Sequence, residues 1–126
     1  MCSSDLGGRF AARSLSFILI MARFDIYTNP GQTKKSDVPF LLDVQCDFLN
    51  ALESRIVVPL RRVDRFDKVA LPKNLSPVFE IAGISCFMET PKLASVPAKI
   101  LKSPITSLSA NHDTITSALD FVFQGY

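Results

Sequence analysis

His112 is the only histidine of the chain, and imidazole is the side chain most easily recruited for proton transfer near neutral pH. Its neighbours Asn111 and Asp113 project to other sides of a helix, so a local triad is excluded, and the residue reads as a solvated or capping group at a helix start. The three cysteines, Cys2, Cys46 and Cys86, are odd in number, widely spaced and free of any C-x-x-C unit. This argues against a disulfide framework or a zinc site and predicts reduced thiols. Cys46 lies between Gln45 and Asp47, where nearby acid raises a thiol pKa, and Cys86 lies in an apolar run, so neither is expected to be reactive. Asp43 and Asp47 are four apart at the end of an apolar stretch. They would hold a divalent cation only if further carboxylates converged, and no acidic cluster is near in sequence, so they read as strand-end and turn residues. The segment Arg61-Arg62-Val63-Asp64-Arg65-Phe66-Asp67-Lys68 mixes bases with an aromatic, as phosphate-binding surfaces do, yet Asp64 and Asp67 nearly cancel its field. It reads as a loop with local ion pairs that could receive an acidic peptide. No glycine-rich phosphate loop is present, and neither a metal nor a cofactor is expected.

The elements that must position these residues are short. Apolar residues alternate between clusters of Pro, Gly, Asn and Asp, the pattern of half-buried antiparallel strands. Phe24, Ile26 and Thr28 share one face of a first strand that stops at the turn Asn29-Pro30-Gly31. Phe40, Leu42 and Val44 line one side of a second, with Asp43 and Gln45 on the other. Arg55-Ile56-Val57-Val58-Pro59-Leu60 is apolar on both faces and predicts a central strand, with a bulge or an end at Pro59, which has no N–H to donate. Val78–Ala82 and Ile84–Met88 flank Gly83 closely enough for a hairpin, and Lys99 to Lys102 is a candidate edge strand. Only the C-terminus has a helical period. Ile115, Leu119 and Phe123 recur at four-residue steps with Ala118 and Val122 in the same stripe, Ser109 or Asn111 can cap the start, and Gly125 sits where a helix ends. Ser117, Asp120, Phe121 and Gln124 lie on the opposite face, where an aromatic needs a partner.

At 126 residues the chain is one domain's length, and 48% hydrophobic against 21% charged residues excludes a disordered or collagen-like polymer. The net charge of +2 nominates no nucleic-acid binder. Residues 1–20 pair Arg9 and Arg13 with an apolar run too short to span a bilayer, and they lead into Arg23 and Asp25 without a small-residue cleavage site. They are read as a non-native or mis-started extension, with Met21 as the start of the working domain 21–126 and the cytoplasm as its compartment. The residues thus describe a small β-rich binding protein with a C-terminal helix and no visible active site.

A resemblance carries the reading further. Phe24-Asp25-Ile26-Tyr27, Asp43-Val44-Gln45-Cys46-Asp47, Arg55-Ile56-Val57-Val58-Pro59-Leu60, Ala94-Ser95-Val96-Pro97 and the terminal Ser117-Ala118-Leu119-Asp120-Phe121-Val122-Phe123-Gln124-Gly125-Tyr126 occur in the order and spacing of one family. Over nearly all of residues 21–126 the chain resembles the CcdB family, toxins of bacterial toxin–antitoxin pairs that poison DNA gyrase. The resemblance implies a mainly β fold, an SH3-like small antiparallel barrel with a C-terminal helix, assembled as a homodimer and without enzymatic activity of its own. It implies two partners, the DNA gyrase A subunit and a CcdA-like antitoxin, with DNA met only through those complexes and no membrane. By position, the gyrase contacts would be Phe48, Leu49, Asp120, Gln124, Gly125 and Tyr126. Arg61, Arg62 and Arg65 are the expected acceptors of acidic antitoxin residues, on the strength of their clustering. Well-known members end in Trp-Gly-Ile, whereas this chain ends in Gln124-Gly125-Tyr126. Two alternatives therefore stay open: an mRNA endonuclease toxin of the same barrel, drawing on Arg61, Arg62 and His112, and a degenerate non-toxic homologue.

Overall fold

A computed structural model of the chain describes residues 22–46, 52–65 and 72–125. Among them seven strands form one antiparallel sheet: β1 (Asp25–Thr28), β2 (Phe40–Asp43), β3 (Ser54–Arg62), β4 (Val78–Ile81), β5 (Ile84–Met88), β6 (Ala94–Pro97) and β7 (Thr106–Ser107). Their order is β4-β5-β3-β2-β1-β7, with β6 also paired to β3. The sheet curls into a nearly closed barrel, and one helix, α1 (His112–Gln124), closes the chain. The expected class, mainly β with a C-terminal helix, is the observed one.

Alternation sorts the side chains. Phe40, Leu42 and Val44 from β2 and its end, with Val58 and Leu60 from β3, enter the main core, where Ile115 and Ala118 of α1 seal them. Fully burying a side chain such as Ile115 stabilises by about 1.5–3 kcal/mol. The other sheet face carries a smaller cluster of Tyr27, Leu41, Val57 and Leu101. Both faces of β1 and β2 are therefore buried, which their short apolar runs do not advertise.

Pro59 does not end its strand, which runs on to Arg62. Val44 N–H donates to the Ile56 carbonyl at 3.0 Å, so even-numbered residues of β3 turn their backbone groups to β2 and odd-numbered ones turn theirs away. On that far side β6 is paired with Ser54–Val57 and β5 with Leu60–Arg62. The missing N–H of Pro59 falls in the gap between the two partners, and its carbonyl still accepts from Glu89 N–H at 3.0 Å. A central strand tolerates proline here because its neighbour changes at that residue.

Three local expectations are corrected. The first strand begins at Asp25, because Phe24 adopts a left-handed φ of 74°, held by its N–H to the Asp43 carbonyl at 2.6 Å and by Leu108 N–H to its own carbonyl at 2.8 Å. Lys99 to Lys102 form no strand; Ala98–Ile100 is a 3-10 turn, and the edge strand is β6 just before it. No side chain caps α1, because a 3-10 turn at Ser109–Asn111 feeds the chain straight into it. The β4–β5 hairpin is as expected. Its central residues Ala82 and Gly83 have φ of 52° and 82°, both positive as a type I′ turn requires.

Candidate functional site

The end of α1 assembles the first group of candidates. Asp120 and Gln124, four residues apart, differ by only about 40° around the axis and share a face. Both are exposed, as is Gly125. Gly125 terminates the helix in the left-handed conformation (φ 82°), its N–H donating to the Phe121 carbonyl at 2.8 Å. Phe48, Leu49 and Tyr126 lie outside the described residues.

One residue at this end was misread from the sequence. Steps of four residues advance about 400°, so each drifts about 40° and Phe123 stands about 80° from Ile115. It leaves the core stripe and is 73% exposed, the most exposed large hydrophobic side chain among the described residues. Phe121, placed by the sequence on the polar face, is half-buried in a cleft of about 440 Å³ with Lys73, Asn74, Thr114, Ser117 and Asp120. The two phenylalanines thus flank the core-facing stripe of Ile115, Ala118 and Leu119. Summing the angular drift over two turns would have exposed Phe123.

The three candidate arginines do not converge on one surface. Arg61 and Arg62 are consecutive in β3 and project to opposite faces. Arg61 Nε donates to both Glu89 carboxylate oxygens at 3.1 Å, and Glu89 also meets Lys92 Nζ at 3.4 Å. Arg62 grips Asp64 through Nε and Nη2 at 2.9 and 2.8 Å, while its Nη1 reaches the Lys34 carbonyl. These bonds hold the Asp64 carboxyl below its usual range. Arg65 faces Asp37 at 3.7 Å, with nearly half of its side chain in solvent. An acidic partner would have to compete with Glu89, Asp64 and Asp37.

His112 is exposed, with Nε2 3.0 Å from Asp113 Oδ1 and Nδ1 3.3 Å from the Ser109 carbonyl. The adjacent Asp113 therefore folds back onto the ring, a contact that helix geometry alone did not anticipate. His112 lies beside Phe24, just ahead of β1 (ring centroids 6.5 Å), whereas Arg62 ends β3 and is bonded to Asp64 and the Lys34 carbonyl. Arg61, Arg62 and His112 form no common acid–base site.

Asp43 is not open to a cation. It is fully buried and ion-paired with Arg55 at 2.7 Å, and Asp47 lies outside the described residues. Among the described residues no three His, Cys, Asp or Glu side chains group as metal ligands. The sequence did not single out Arg55, whose guanidinium sat unnoticed in an apolar run. The available signal was an opposite-charge pair on the same face of adjacent strands. Burial pushes the Cys86 thiol up to about 11, in keeping with an unreactive group. Cys46 departs from the expected reduced state, being disulfide-bonded.

No helix among the described residues is long and apolar enough to cross a membrane. The model of the CcdB protein family matches residues 23–125, the whole barrel and its closing helix. The chain belongs to the CcdB family, whose members are the toxins of toxin–antitoxin pairs.

Proposed function

We propose that this protein is the toxin of a type II toxin–antitoxin system and inhibits DNA gyrase by binding its A subunit and trapping the cleaved-DNA complex. The observation that carries the reading is the free end of α1, where Asp120, Phe123, Gln124 and Gly125 stand exposed beyond the last core contact, in a chain of the CcdB family. A helix end that contributes little to its own core is available to a partner, and aromatic side chains at interfaces are frequent energetic anchors. Phe48, Leu49 and Tyr126 complete the contact set. Inhibition is mechanical: the protein acts as a wedge, not an enzyme, and needs no cofactor.

The working form is a cytoplasmic homodimer that presents two helix ends together. A CcdA-like antitoxin neutralises it through a segment that folds on binding, with Arg61, Arg62 and Arg65 accepting its acidic residues. DNA is reached only through the gyrase or antitoxin complex. The test is to incubate the full-length chain with gyrase, supercoiled plasmid and ATP, then denature. Double-strand breaks are expected, and a variant lacking residues 124–126 should give none. RNA fragments produced without gyrase would establish an endonuclease instead, and neither product would indicate a degenerate homologue.

A further inference from the structure

Phe24 holds a backbone conformation that its side chain disfavours. It occupies the third position of the turn Ala22–Asp25, closed by Asp25 N–H on the Ala22 carbonyl at 3.1 Å, and its φ is 74°. Glycine is the usual residue at positive φ, and a bulky aromatic there is an outlier. Ala82 is the other non-glycine case among the described residues, and the β4–β5 hairpin accounts for it. No such hairpin accounts for Phe24. Strain of this kind persists only where the surroundings over-determine it.

The surroundings do so from several sides. Phe24 N–H donates to the Asp43 carbonyl at 2.6 Å, which ties the turn to the end of β2, and the Phe24 carbonyl accepts Leu108 N–H at 2.8 Å. Leu108 follows the two-residue strand β7 and its own carbonyl takes Asn111 N–H at 2.8 Å, so the Phe24 bond fastens the sheet to the 3-10 turn that leads into α1. The Phe24 ring is buried in the main core, with the Arg23 guanidinium 4.7 Å from its centroid and the ring of His112, the first residue of α1, 6.5 Å away.

Helix α1 has few other means of holding its direction. No side chain caps its start. Its core contacts, Ile115, Ala118 and the partly buried Leu119, span about 6 Å of a helix about 20 Å long. The Asp120–Gly125 end projects beyond them, and the cleft beside Thr114, Ser117 and Phe121 leaves one flank unpacked. Contacts so closely spaced fix where a helix sits better than where it points. A tilt of about 10° at the start of α1 moves its far end by about 3 Å.

We propose that Phe24 is a positioning residue for target binding: its left-handed turn joins the entry of α1 to the β1–β2 pair and so sets the direction in which Asp120, Phe123 and Gln124 are presented to the gyrase A subunit. The target rests on the gyrase reading, whereas the anchoring is a property of the free protein.

The experiment compares Phe24→Gly with Phe24→Ile in the full-length chain. Both lose the ring, but glycine accepts a positive φ and a β-branched side chain does not. Thermal midpoint, amide hydrogen exchange, residual dipolar couplings of α1 against the sheet, and affinity for isolated gyrase A subunit are measured, the last three well below both midpoints. Both variants should melt below the parent. Phe24→Gly should keep the parental α1 direction and Leu108 protection and should bind the gyrase subunit within threefold of the parent. Phe24→Ile should turn α1 from its parental direction, raise exchange at Leu108 at least tenfold with the β4–β5 hairpin unchanged, and weaken gyrase binding at least tenfold. A parental α1 direction in Phe24→Ile, or affinity losses that simply follow the midpoints of the two variants, would overturn the proposal. If the parent chain does not bind the gyrase subunit, the gyrase reading fails, and α1 direction with Leu108 exchange alone decides the anchoring. If Phe24→Ile does not fold, Phe24→Ala takes its place, since its Cβ resists the same φ: it should melt below Phe24→Gly and exchange faster at Leu108, and the opposite order would overturn the proposal.

Discussion

Asp43 and Arg55 meet at 2.7 Å with 0% and 1% of their side chains in solvent, an ion pair sealed between the sheet and its smaller apolar cluster. Burial raises the Asp43 carboxyl to about 6, Arg55 offsets only part of that cost, and Asp25 pushes in the same direction as burial. Because the folded value exceeds the unfolded one of about 3.9, the folded state holds the proton through the window between them. Stability should fall as pH rises from about 4 to about 6 and level off above. Urea midpoints across that range should show the slope in the parent, and Asp43→Asn should flatten it. Arg55→Met leaves a buried carboxylate uncompensated at neutral pH and should cost about 3–5 kcal/mol there, with partial recovery in acid.

Tyr27 gives a second test of the same region. It is fully buried, its hydroxyl has no hydrogen-bond partner among the described residues, and burial raises its pKa, with Asp25 and Asp43 adding to the effect. An unsatisfied buried hydroxyl costs free energy that an apolar isostere does not. Tyr27→Phe should stabilise the protein by about 1 kcal/mol, read as an upward shift of the urea midpoint with an unchanged slope. A loss of stability would mean that the hydroxyl is satisfied in solution.

The parts of this molecule that local pattern controls were legible in advance, and those that depend on partners were not. The assignment of Phe40, Leu42 and Val44 to one core face follows from period two, and the β4–β5 hairpin follows from a glycine between two apolar runs, whereas its turn type rests on the positive φ of Ala82, which the sequence does not signal. Pro59 signals a missing rung, but only the strand order shows that the rung falls between β6 and β5. Arg55 reads as the first residue of an apolar strand until Asp43 is seen on the same face of its neighbour. The separation of Arg61 from Arg62 was implicit in strand alternation, and the Arg62–Asp64 pair is the local ion pair expected of that segment, whereas Glu89, the counter-ion of Arg61, follows β5 and depends on its register. Of the candidate gyrase contacts, Asp120, Gln124 and Gly125 are brought together by helix geometry alone.

The arginines differ in what they can give a partner. Arg65 and Asp37 are 3.7 Å apart and largely solvated, a pair worth about 0–1 kcal/mol, so Arg65→Glu should leave folding stability within about 1 kcal/mol of the parent. It should still weaken binding of an acidic antitoxin peptide and flatten the salt dependence of that binding. Arg61→Glu would instead set a new carboxylate against the half-buried Glu89 and should lower the thermal midpoint clearly. Titrating both variants with antitoxin peptide at two salt concentrations separates the roles. An unchanged salt slope for Arg65→Glu would remove that residue from the antitoxin surface.

The two phenylalanines of the last turns should separate target binding from stability. Phe123 is 73% exposed, so Phe123→Ala should alter folding stability by no more than about 0.5 kcal/mol, yet an aromatic anchor is worth about 2 kcal/mol at an interface, close to 30-fold in affinity for the gyrase A subunit. Phe121, half-buried in the cleft that Lys73 and Asn74 also line, should lose folding stability on truncation before it loses affinity. Gln124→Trp tests the same surface in the opposite sense. Position 124 is exposed on the Asp120 face, so an indole there adds contact area without disturbing the core and should strengthen both gyrase binding and growth arrest. If Phe123→Ala and Gln124→Trp both leave affinity at the parental value while the fold is intact, the helix end is not the surface that meets gyrase.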